Sequence, residues 1–416
     1  MVEGHSPDRS ERLLVLGAGP AQLGLLAAAR RRGLYVIAVD RDAAAPGFRY
    51  ADRRAIVSAE DEPGVERLAA AEHVNGLIAP GIDWPVGIAA RVAERLGLPH
   101  PLSPETAVLT TSKLRQRERF AEARIRQPAN EPCRSVDDAR AAANRLGYPC
   151  IVKAPDRQGQ RGLSVVGSAD ALESAVVGAI EASRSGAFLV EELIAGREVT
   201  VNGFSLGGQF HALTVTDRHL AEAPAFGVAL AHSWPSALAP ERIGQAIDAA
   251  RRAARALGIT NGPTYTQVLV AEDRGAFVGE SAARLGGGHD AELCRAALGV
   301  DLNALALAAA LGEPLRRQQV APKARVGGAC VKFLVSPPGQ LHGVEGLEDA
   351  FASEGIVGIR IYRRLGHVFG PLRRGSDRAG AILVVGDSAE EALERAEAAS
   401  DLIRFDTVDV DAEALA

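Results

Sequence analysis

Short apolar runs alternate with longer amphipathic runs in the first hundred residues. The apolar runs predict four strands, at 13–16, 35–40, 54–57 and 76–79. Runs with helical periodicity predict helices at 22–32, 64–71 and 86–96. Alternation of strands and helices with short connections is typical of a parallel sheet with helices on both faces. We therefore predict a doubly wound α/β domain over residues 1–111, which ends after two closely spaced prolines.

A different pattern begins near residue 112. Strands are predicted at 150–153, 163–166, 187–191, 198–204 and 209–216, and a hairpin at 265–281. Helices are predicted at 113–123, 169–184 and 241–257. This succession indicates an α+β, largely antiparallel domain over 112–315, with lobes at about 112–188 and 189–315. Strands near 329–335, 358–362 and 381–386 and a helix at 389–403 predict a small α+β C-terminal lobe over 316–416.

Composition and charge exclude several classes of protein. A net charge of −5 gives no basic surface for nucleic acid, and no apolar run approaches the ~18 residues that a membrane span needs. The first residues resemble neither a secretory signal nor a transit peptide. The cysteines are widely spaced and form no CxxC pair, which argues against a zinc site and fits a reducing compartment. They are Cys133, Cys150, Cys294 and Cys330. We expect a cytoplasmic protein that acts on small molecules.

Lysine is rare in this chain. Lysine and arginine together number 47, yet only four are lysines: Lys113, Lys153, Lys323 and Lys332. A retained lysine marks a position where a compact ammonium on a flexible stem suits better than a planar guanidinium. This scarcity directs attention to Lys113 and Lys153, although four lysines could also persist by chance.

The glycines after the first strand admit a nicotinamide interpretation. Gly17 and Gly19 follow a strand, and Asp40 lies about twenty residues further on, where a dinucleotide fold places its ribose-binding acid. Gln22 replaces the third glycine of that motif, so the match is partial. A turn that serves only the fold, or one that faces a substrate, would have the same residues.

The predicted hairpin places two oxygen-bearing side chains opposite each other. Gln267 and Glu280 are equally far from the centre of a turn at Asp273 and Arg274. A symmetric register therefore makes them cross-strand partners, with Cβ atoms roughly 5 Å apart. Mg²⁺ prefers oxygen ligands together with phosphates. The pair predicts a metal site, although an exposed polar pair on a solvated face would give the same pattern.

Three further segments suit anionic or nucleotide ligands. Arg284 and the glycines at 286–288 offer a cation and unhindered backbone amides for a phosphoryl group or an oxyanion. Lys153 precedes a loop at 156–162, whose glycines let backbone N–H groups approach phosphates and let the loop close as a lid. The segment 190–198 leaves a strand and re-enters another, so its backbone can pair with an adenine edge. Each of these segments alone is also typical of an ordinary loop.

Taken together and in this order, the segments resemble the ATP-grasp superfamily, which includes D-alanine–D-alanine ligase, biotin carboxylase, carbamoyl phosphate synthetase and the bacterial L-amino-acid ligases. The resemblance covers almost the whole chain. It implies a preATP-grasp domain, a two-lobed ATP-grasp domain and a C-terminal lobe that completes its core. It also implies ATP and Mg²⁺ (or Mn²⁺) as cofactors, and a ligase that activates a carboxylate as an acyl phosphate and passes it to an amine. A homodimer is compatible with the resemblance.

The resemblance also implies roles for individual residues. Nucleotide contacts are implied for Lys113, Lys153, Gly159, Gln160, Gly162, Glu191, Glu192, Ile194, Glu198 and, more loosely, Arg218. Metal contacts are implied for Gln267 and Glu280, and catalytic roles for Lys153, Glu280 and Arg284. For the acceptor site we predict His232, Trp234, Arg284, Gly286, Gly287, Gly288 and His289, together with the segment 224–227.

Two departures from the family pattern affect the metal site. Gln267 stands where an acid is usual, and Ala282 replaces the asparagine of the family's ExNxR pattern. We therefore expect Mg²⁺ to arrive mainly with the nucleotide. The leading hypothesis is amide ligation, most simply between amino acids. Bicarbonate activation by a carboxylase is one alternative, and a non-enzymatic nucleotide-binding or NAD-dependent protein is another.

Overall fold

The computed structural model describes residues 11–222 and 225–409. The described residues form four sheets, one parallel and the others antiparallel where their strands pair. The predicted fold class, an α/β region followed by α+β regions, is confirmed. The predicted domain boundaries remain predictions, and the first ten residues and Pro224 lie outside the described residues.

The N-terminal sheet is parallel and has helices on both faces. Its strands, in the order β3-β2-β1-β4, are β1 (Arg12–Leu16), β2 (Tyr35–Val39), β3 (Arg53–Ala55) and β4 (Gly76–Ile78). The helices are α1 (Leu23–Arg31), α2 (Glu62–Ala71), α3 (Trp84–Leu96) and α4 (Pro104–Thr111). Leu13 packs in the core that contains α1, whereas Leu14 packs in the core that contains α2 and α3. Both faces of β1 are therefore buried over residues 13–16, which explains the apolar run there.

The second sheet has the order β5-β8-β6-β7 and belongs to the first lobe. Its strands are β5 (Asn130–Cys133), β6 (Cys150–Lys153), β7 (Leu163–Val166) and β8 (Phe188–Glu192). Helices α5 (Lys113–Glu122), α6 (Val136–Leu146) and α7 (Leu172–Ala182) accompany it. Strand β8, which ends at Glu192, pairs with β5 and β6 and so belongs to this sheet.

The third sheet is the largest and has eight strands, in the order β13-β12-β9-β10-β11-β14-β18-β16. The second lobe contributes β9 (Arg197–Leu206), β10 (Gln209–Leu220), β11 (Ala229–Trp234), β12 (Gly262–Ala271) and β13 (Gly275–Ala282). Its helices are α8 (Pro240–Ala256), α9 (Asp290–Leu298) and α10 (Leu302–Ala310). The C-terminal segment contributes β14 (Gly328–Leu334), β16 (Ile356–Ile361) and β18 (Gly380–Gly386). The second lobe and the C-terminal lobe thus share one continuous sheet.

A fourth, three-stranded sheet closes the C-terminal lobe. Its order is β17-β15-β19, with β15 (Gly339–Glu345), β17 (Val368–Phe369) and β19 (Arg404–Val408). Helices α11 (Leu347–Ala352) and α12 (Ala389–Leu402) pack against the lobe. Ala392, Ala396 and Ala399 of α12 are fully buried in that core, and their 3–4 spacing fits one helical face.

The hairpin β12–β13 contains the predicted cross-strand pair, but not the symmetric turn from which that pair was predicted. Gln267 and Glu280 are cross-strand partners. The turn, however, is centred on Asp273, because Ala271 pairs with Gly275. A bulge between Gln267 and Val268 shifts the register by one residue, and Gly279 on the opposite strand is the residue left over. The pair therefore exists because of the bulge and not because of a symmetric turn.

Among the described residues, no single helix is long and apolar enough to cross a membrane. Only α9 and α10 taken together reach that length and composition, and they meet at a bend of 119°.

Candidate active site

Two adjoining cavities collect most of the predicted site residues. The lobe cavity, of about 150 Å³, lies between the two lobes and is lined by Lys113, Lys153, Glu191, Glu192 and Glu198. The central cavity, of about 340 Å³, is lined by Arg218, His232, Arg284, Gly287 and Gly288. Six residues line both cavities: Gln158, Gly159, Gln160, Arg161, Gln267 and Glu280. Gln267 and Glu280, together with the predicted lid, therefore form the boundary between the cavities.

Lys113 and Glu280 form an ion pair across the lobe cavity. Lys113 is the first residue of α5, and its Nζ lies 3.0 Å from Oε2 of Glu280. The same Nζ donates a hydrogen bond to the backbone oxygen of Arg157 at 2.8 Å, which connects α5 to the predicted lid loop. Burial alone would raise the pKa of Glu280, but the charges of Lys113 and Arg284 outweigh it and hold that pKa at about 2. Glu280 is therefore an anion throughout the physiological range.

Lys153 belongs to a second buried charge cluster. Its Nζ lies 2.7 Å from Oε2 of Glu191, and Nε of Arg117 lies 2.8 Å from Oε1 of the same carboxylate. Burial opposes the charge of Glu191, but Arg117 and Lys153 lower its pKa to about 2. Arg117 also donates to the backbone oxygen of Gly279, at 2.7 Å. The carboxylate of Glu191 is thus shared by Lys153 and Arg117, and the predicted nucleotide contact of this residue remains a prediction.

The remaining predicted nucleotide residues separate into two groups. Glu192 lines the lobe cavity and forms an ion pair with Arg274 of the hairpin turn. Oε1 of Glu198 lies 3.0 Å from Nε of Arg218, whose Nη1 donates to the hydroxyl of Tyr265 at 2.6 Å. Arg218 lines the central cavity and not the lobe cavity. It lies on the central-cavity side of Glu198, and its predicted contact with the nucleotide remains a prediction.

The Gln267–Glu280 pair fits a divalent cation that brings further ligands of its own. One carboxylate and one amide oxygen face both cavities, and Nε2 of Gln267 donates to the Tyr265 hydroxyl at 3.1 Å, which leaves its oxygen free to face the boundary. Within the described ranges, no group of three or more His, Cys, Asp or Glu side chains could hold a metal ion. Mg²⁺ usually takes one or two protein carboxylates plus phosphates and water, so these residues suit a nucleotide-borne ion.

Arg284 is held in place at the edge of the central cavity. Its Nε lies 2.6 Å from Oδ1 of Asp83, and its guanidinium carbon lies 4.9 Å from the centre of the Tyr265 ring. Asp83 was not predicted from the sequence. It lies directly before α3 without a side-chain capping hydrogen bond, so its position carries no local signal. Its backbone N–H donates to Oε1 of Gln158 in the predicted lid loop, at 2.8 Å.

The glycines after Arg284 serve mainly to admit neighbouring side chains. A Cβ on Gly286 would lie 2.1 Å from Oδ2 of Asp290, and a Cβ on Gly288 would lie 2.6 Å from Cε1 of His232. The backbone N–H of Gly288 donates to Oδ2 of Asp290 at 3.1 Å. The prediction that these amides are unhindered donors is therefore wrong for Gly288, because its N–H already has a partner.

His232 lies on β11 with its ring beside that loop. Nδ1 is 3.4 Å from Oδ1 of Asp290, which also accepts a hydrogen bond from Asn202 at 3.3 Å. Nε2 of His232 is buried and makes no hydrogen bond to a described residue. Burial lowers the pKa of His232 more strongly than Asp290 raises it, so the imidazole is neutral at pH 7.

Five predicted residues line neither cavity. A Cβ on Gly162 would lie 2.5 Å from Cβ of Ala182, so this glycine permits a close approach to α7. Ile194 packs in a small cluster with Ala271 and Phe277. Trp234 packs against the hydrophobic core. Gly286 faces Asp290, as described above.

His289 is the fifth, and it faces a different cavity, between α9 and the strand β16. Its Nε2 lies 2.5 Å from the hydroxyl of Tyr362, and its Nδ1 lies 2.9 Å from Nη1 of Arg360. Burial lowers the pKa of His289 to about 4. His289 therefore links α9 to the C-terminal lobe, and its predicted acceptor contact remains a prediction.

The glycine loop after β1 faces the central cavity but is filled by its own residues. A Cβ on Gly17 would lie 3.1 Å from Cδ of Gln22, and Nε2 of Gln22 donates to the backbone oxygen of Pro80 at 2.6 Å. Oδ2 of Asp40 accepts the backbone N–H of Ala18 at 2.8 Å. The carboxylate of Asp40 already accepts a hydrogen bond from the backbone of the turn. The nicotinamide interpretation therefore gains no support from the geometry.

Two family models match the chain. The carbamoyl-phosphate synthase L chain ATP binding domain matches residues 112–318, and the L-amino acid ligase C-terminal domain 2 matches residues 332–408. The chain belongs to the ATP-grasp superfamily. The resemblance that the sequence motifs indicated is thereby confirmed.

Solved structures share this ATP-grasp fold over nearly the whole chain. An L-amino acid ligase from Bacillus licheniformis covers 96% of this chain and 100% of its own, with a TM-score of 0.81 and 22% identity. The N5-carboxyaminoimidazole ribonucleotide synthetase from Thermotoga maritima covers 96% and 100%, with a TM-score of 0.74 and 19% identity. At such identities the likeness establishes the fold and leaves the substrate undefined.

Curated relatives match the ATP-grasp chain over part of their length. The uncharacterized protein y4rH of Sinorhizobium fredii is 26% identical over 311 residues, which is 73% of this chain and 62% of that protein. A formate-dependent phosphoribosylglycinamide formyltransferase of Burkholderia pseudomallei is 31% identical over 166 residues, which is 39% of this chain and 41% of that protein. The chain thus spans less than two thirds of these relatives.

Proposed function

We propose that this chain is an ATP-dependent carboxylate–amine ligase that forms an amide bond between small molecules, in particular amino acids, and releases ADP and phosphate. The observation that carries the proposal is the shared boundary of the two cavities. Lysine ammonium groups lie on one side of Gln267 and Glu280, and Arg284 lies on the other. A phosphoryl group bound at that boundary would be within reach of both a nucleotide and a second substrate. The matches to an ATP binding domain and to an L-amino acid ligase domain support this assignment.

In the first step, a substrate carboxylate oxygen attacks the γ-phosphorus of ATP, and the bond to the departing ADP breaks. Lys113 and Lys153 offset the negative charge of the triphosphate, and the lid amides around Gly159 exclude water from the transfer. Bound to Glu280 and the Gln267 oxygen, Mg²⁺ would supply further positive charge beside the transferred group. The product of this step is an acyl phosphate.

In the second step, the nitrogen of an amine attacks the carbonyl carbon of the acyl phosphate. The C–N bond forms, phosphate leaves with the C–O bond electrons, and the amine loses a proton. Arg284 lies where it can stabilise the oxyanion, since Asp83 and Tyr265 fix its guanidinium. No side-chain nucleophile is needed, so the chemistry depends on positioning and charge.

The direct test is a substrate screen. Pairs of L-amino acids are incubated with the protein, ATP and Mg²⁺, ADP is measured, and products are identified by mass spectrometry. The proposal expects ADP release that depends on a particular pair and a product mass equal to both substrates minus water. The matched control is Glu280→Gln, which preserves shape but removes the charge.

Two results would overturn the amide ligase. ADP release that requires bicarbonate and yields no amide product would favour the carboxylase alternative. An absence of ADP release with every acid tested, combined with nucleotide binding, would favour a non-catalytic nucleotide-binding protein.

A further inference from the structure

A third cavity lies outside the candidate active site and is larger than either cavity of that site. This flank cavity, of about 490 Å³, lies between α9 and β16, whereas the central cavity has about 340 Å³. Its apolar lining comes from three strands of the large sheet, through Val331 of β14, Ile359 of β16 and Leu383 of β18. Ligand pockets in proteins have volumes of about 300–1,000 Å³ and mostly apolar walls. The flank cavity therefore has the size and the lining of a small-molecule site.

The charged side chains of the flank cavity are mainly positive. They are Glu292, Arg295, Arg325 and Arg360. Oε1 of Glu292 lies 2.8 Å from Nη1 of Arg360, and Nη1 of Arg295 lies 3.5 Å from Oδ2 of Asp301. Arg325 makes no ion pair and no side-chain hydrogen bond to a described residue. An apolar cavity with an excess of positive charge is complementary to an anion that has an apolar body.

Arg325 is held beside the flank cavity by its backbone and by a glycine. Its N–H donates to the backbone oxygen of Ala297 at 2.8 Å. Gly299 directly follows α9 with a φ of 72°, and a Cβ there would lie 2.1 Å from Nε of Arg325. A side chain at position 299 would therefore collide with the guanidinium. The charge thus lies at the cavity without a carboxylate to hold it, and a ligand can pair with it.

A chain of hydrogen bonds connects the flank cavity to the central cavity. Because burial lowers the pKa of His289 to about 4, its ring is neutral. Nη1 of Arg360 donates to Nδ1 of that ring at 2.9 Å, and an arginine can only donate, so the ring carries its proton on Nε2. Nε2 in turn donates to the hydroxyl of Tyr362 at 2.5 Å, and Tyr362 lines the central cavity. The partner of Arg360 in the flank cavity therefore affects a wall of the central cavity.

The backbone of His289 provides a second connection. Its φ of 60° lies in the left-handed region, which costs a residue with a Cβ of the order of 1 kcal/mol or more. The hydrogen bonds of the ring help to hold this conformation. Gly287 and Gly288, the two residues before it, line the central cavity. A displaced ring would therefore move the loop that contains these glycines.

We propose that the flank cavity is an effector site for a small organic anion with an apolar body, and that its occupation alters the central cavity through His289 and Tyr362. The carboxylate or phosphate of the effector pairs with Arg325 and competes with Glu292 for Arg360, while its body covers the apolar lining. The inference goes beyond the proposed ligase function, and its test needs no turnover. By linkage, a ligand of the central cavity changes the affinity of the effector by the same factor.

The first test measures binding with a matched pair of fluorescent probes. Anilinonaphthalene sulfonate has an apolar body and one anionic group, and N-phenylnaphthylamine has the same body without the anion. The wild type should bind the sulfonate more tightly. Arg325→Gln should weaken sulfonate binding by about 2- to 5-fold, the scale of one exposed ion pair, and leave the neutral probe unchanged. Arg67→Gln, the same change on an exposed arginine of α2, should match the wild type.

A second variant fills the flank cavity. Gly358 lines it, and a Cβ there would have no atom within 4 Å, so Gly358→Leu can be accommodated without a collision. This variant should weaken both probes by at least about 10-fold, because the leucine occupies the space of the apolar body. Melting curves check that each variant is folded, and Arg325→Gln changes only an exposed side chain. If both variants bind the probes as the wild type does, the inference is wrong.

Displacement of the bound sulfonate shows which anion the site prefers. Naphthoate and naphthyl phosphate share one apolar body and differ in the anionic group. Either should displace the sulfonate from the wild type, and naphthalene methanol, which has no charge, should do so less well. Equal displacement by the neutral compound would contradict a role for the arginines.

Hydrogen exchange tests the connection to the central cavity. With the sulfonate bound, amide exchange in the segment 284–288 should change by about 5-fold or more, the lower end of the usual coupling between two sites. Tyr362→Phe removes the hydroxyl that accepts from His289. It should still bind the probe but lose this response. Unchanged exchange in the wild type with bound probe would overturn the effector role, whether or not the protein proves to be a ligase.

A second copy of the chain is the other candidate occupant of this face. Strand β16 is the last strand of the large sheet and pairs only with β18 among the described strands. Sedimentation velocity with and without the sulfonate distinguishes the two occupants. A monomer, or a dimer that binds one probe per chain, retains the inference. A dimer that excludes the probe would overturn it.

Discussion

The lobe cavity and the central cavity differ in how their buried charges are paired. In the lobe cavity, Lys113 has Glu280 and Lys153 has Glu191, each within 3.0 Å. In the central cavity, Arg218 and Arg284 are paired as well. Nε of Arg378, a lining residue in the loop before β18, and Nε2 of His232 make no hydrogen bond to a described residue. A ligand of the first cavity must therefore exchange partners with existing ion pairs. A ligand of the second supplies partners that the protein lacks.

This difference suggests separate sources of binding energy for the two cavities. Exchange of one ion-pair partner for another yields little net energy, so the lobe cavity relies on geometry fixed before binding. Completion of an unsatisfied buried group yields more, and it also discriminates against ligands that lack the complementary group. On this view the lobe cavity governs the rate of phosphoryl transfer, and the central cavity governs the choice of substrate. The following predictions test that division.

The largest expected effect is on folding stability. Glu191→Gln would leave Lys153 and Arg117 close together and buried without their shared carboxylate. Removal of one member of a buried ion pair destabilises by about 3 kcal/mol or more. Urea denaturation should show this decrease in the free energy of unfolding. Glu192→Gln, at the next and partly exposed position, should change it by less than about 1 kcal/mol.

Lys153→Ala and Glu280→Ala should each reduce ADP formation at least ~100-fold, the scale of losing one preorganised electrostatic contact. The measurement is the steady-state rate of ADP release with a productive substrate pair, in variants whose melting shows that they are folded. Lys332→Ala, a lysine at the surface of the C-terminal lobe, provides the control. Turnover like that of the wild type in either cavity variant would contradict the assignment.

Gly288→Ala should affect the central cavity alone. A Cβ at this position would lie 2.6 Å from the His232 ring, so the imidazole must move. We expect about a 10-fold decrease in kcat/KM for the amine, since small displacements of positioning groups carry penalties of that order. Nucleotide affinity should remain unchanged. Gly244→Ala, on α8 with no atom within 4 Å of the added carbon, is the matched control.

The pH dependence of stability should report the paired carboxylates. Glu191 and Glu280 have pKa values of about 2, against an ordinary value of 4.5. A lowered pKa means that the unfolded state binds protons first as the pH falls. The stabilisation is therefore complete above about pH 4.5 and is lost as the pH falls toward 2. Urea denaturation across this window should show a shallower slope for Glu280→Gln than for the wild type.

The smallest effect concerns metal binding without nucleotide. With one carboxylate and one amide, the Gln267–Glu280 pair should bind Mg²⁺ with a Kd above about 1 mM. Calorimetry on the nucleotide-free protein should thus give almost no heat at micromolar Mg²⁺. Gln267→Glu restores a second carboxylate and should tighten binding. A tight site in the wild-type protein would show that further ligands exist.

The hydrophobic periodicity of the sequence was sufficient to predict most of the strands and helices, but not the small sheet of the C-terminal lobe. The strands Cys150–Lys153 and Leu163–Val166 have the predicted bounds, because each is a compact apolar run with turn residues beside it. The small sheet of β15, β17 and β19 was not predicted. Its strands lie more than twenty residues apart in sequence and are short or polar, so their pairing depends on tertiary contacts.

The candidate site shows the same division between local and long-range information. The Gln267–Glu280 pairing was predictable because both residues belong to one hairpin, even though a bulge sets the final register. Arg117 and Arg378 were missed because arginine is common in this chain and nothing local distinguishes the arginines that line a cavity. Asp83 was missed because its position before α3 carries no local signal. Whether an arginine has a carboxylate neighbour is decided by segments distant in sequence, as for Arg117 and Glu191, which are 74 residues apart.

The continuous eight-stranded sheet has a consequence for engineering. Strand β14 pairs with β11, and Lys332 lies opposite Ala231 on that shared seam. An exchange of residues 316–416 between homologues would therefore have to reproduce the edge of a sheet as well as a set of pocket side chains. Chimeras that keep β14 from the host and graft only the loop before β18 avoid that mismatch.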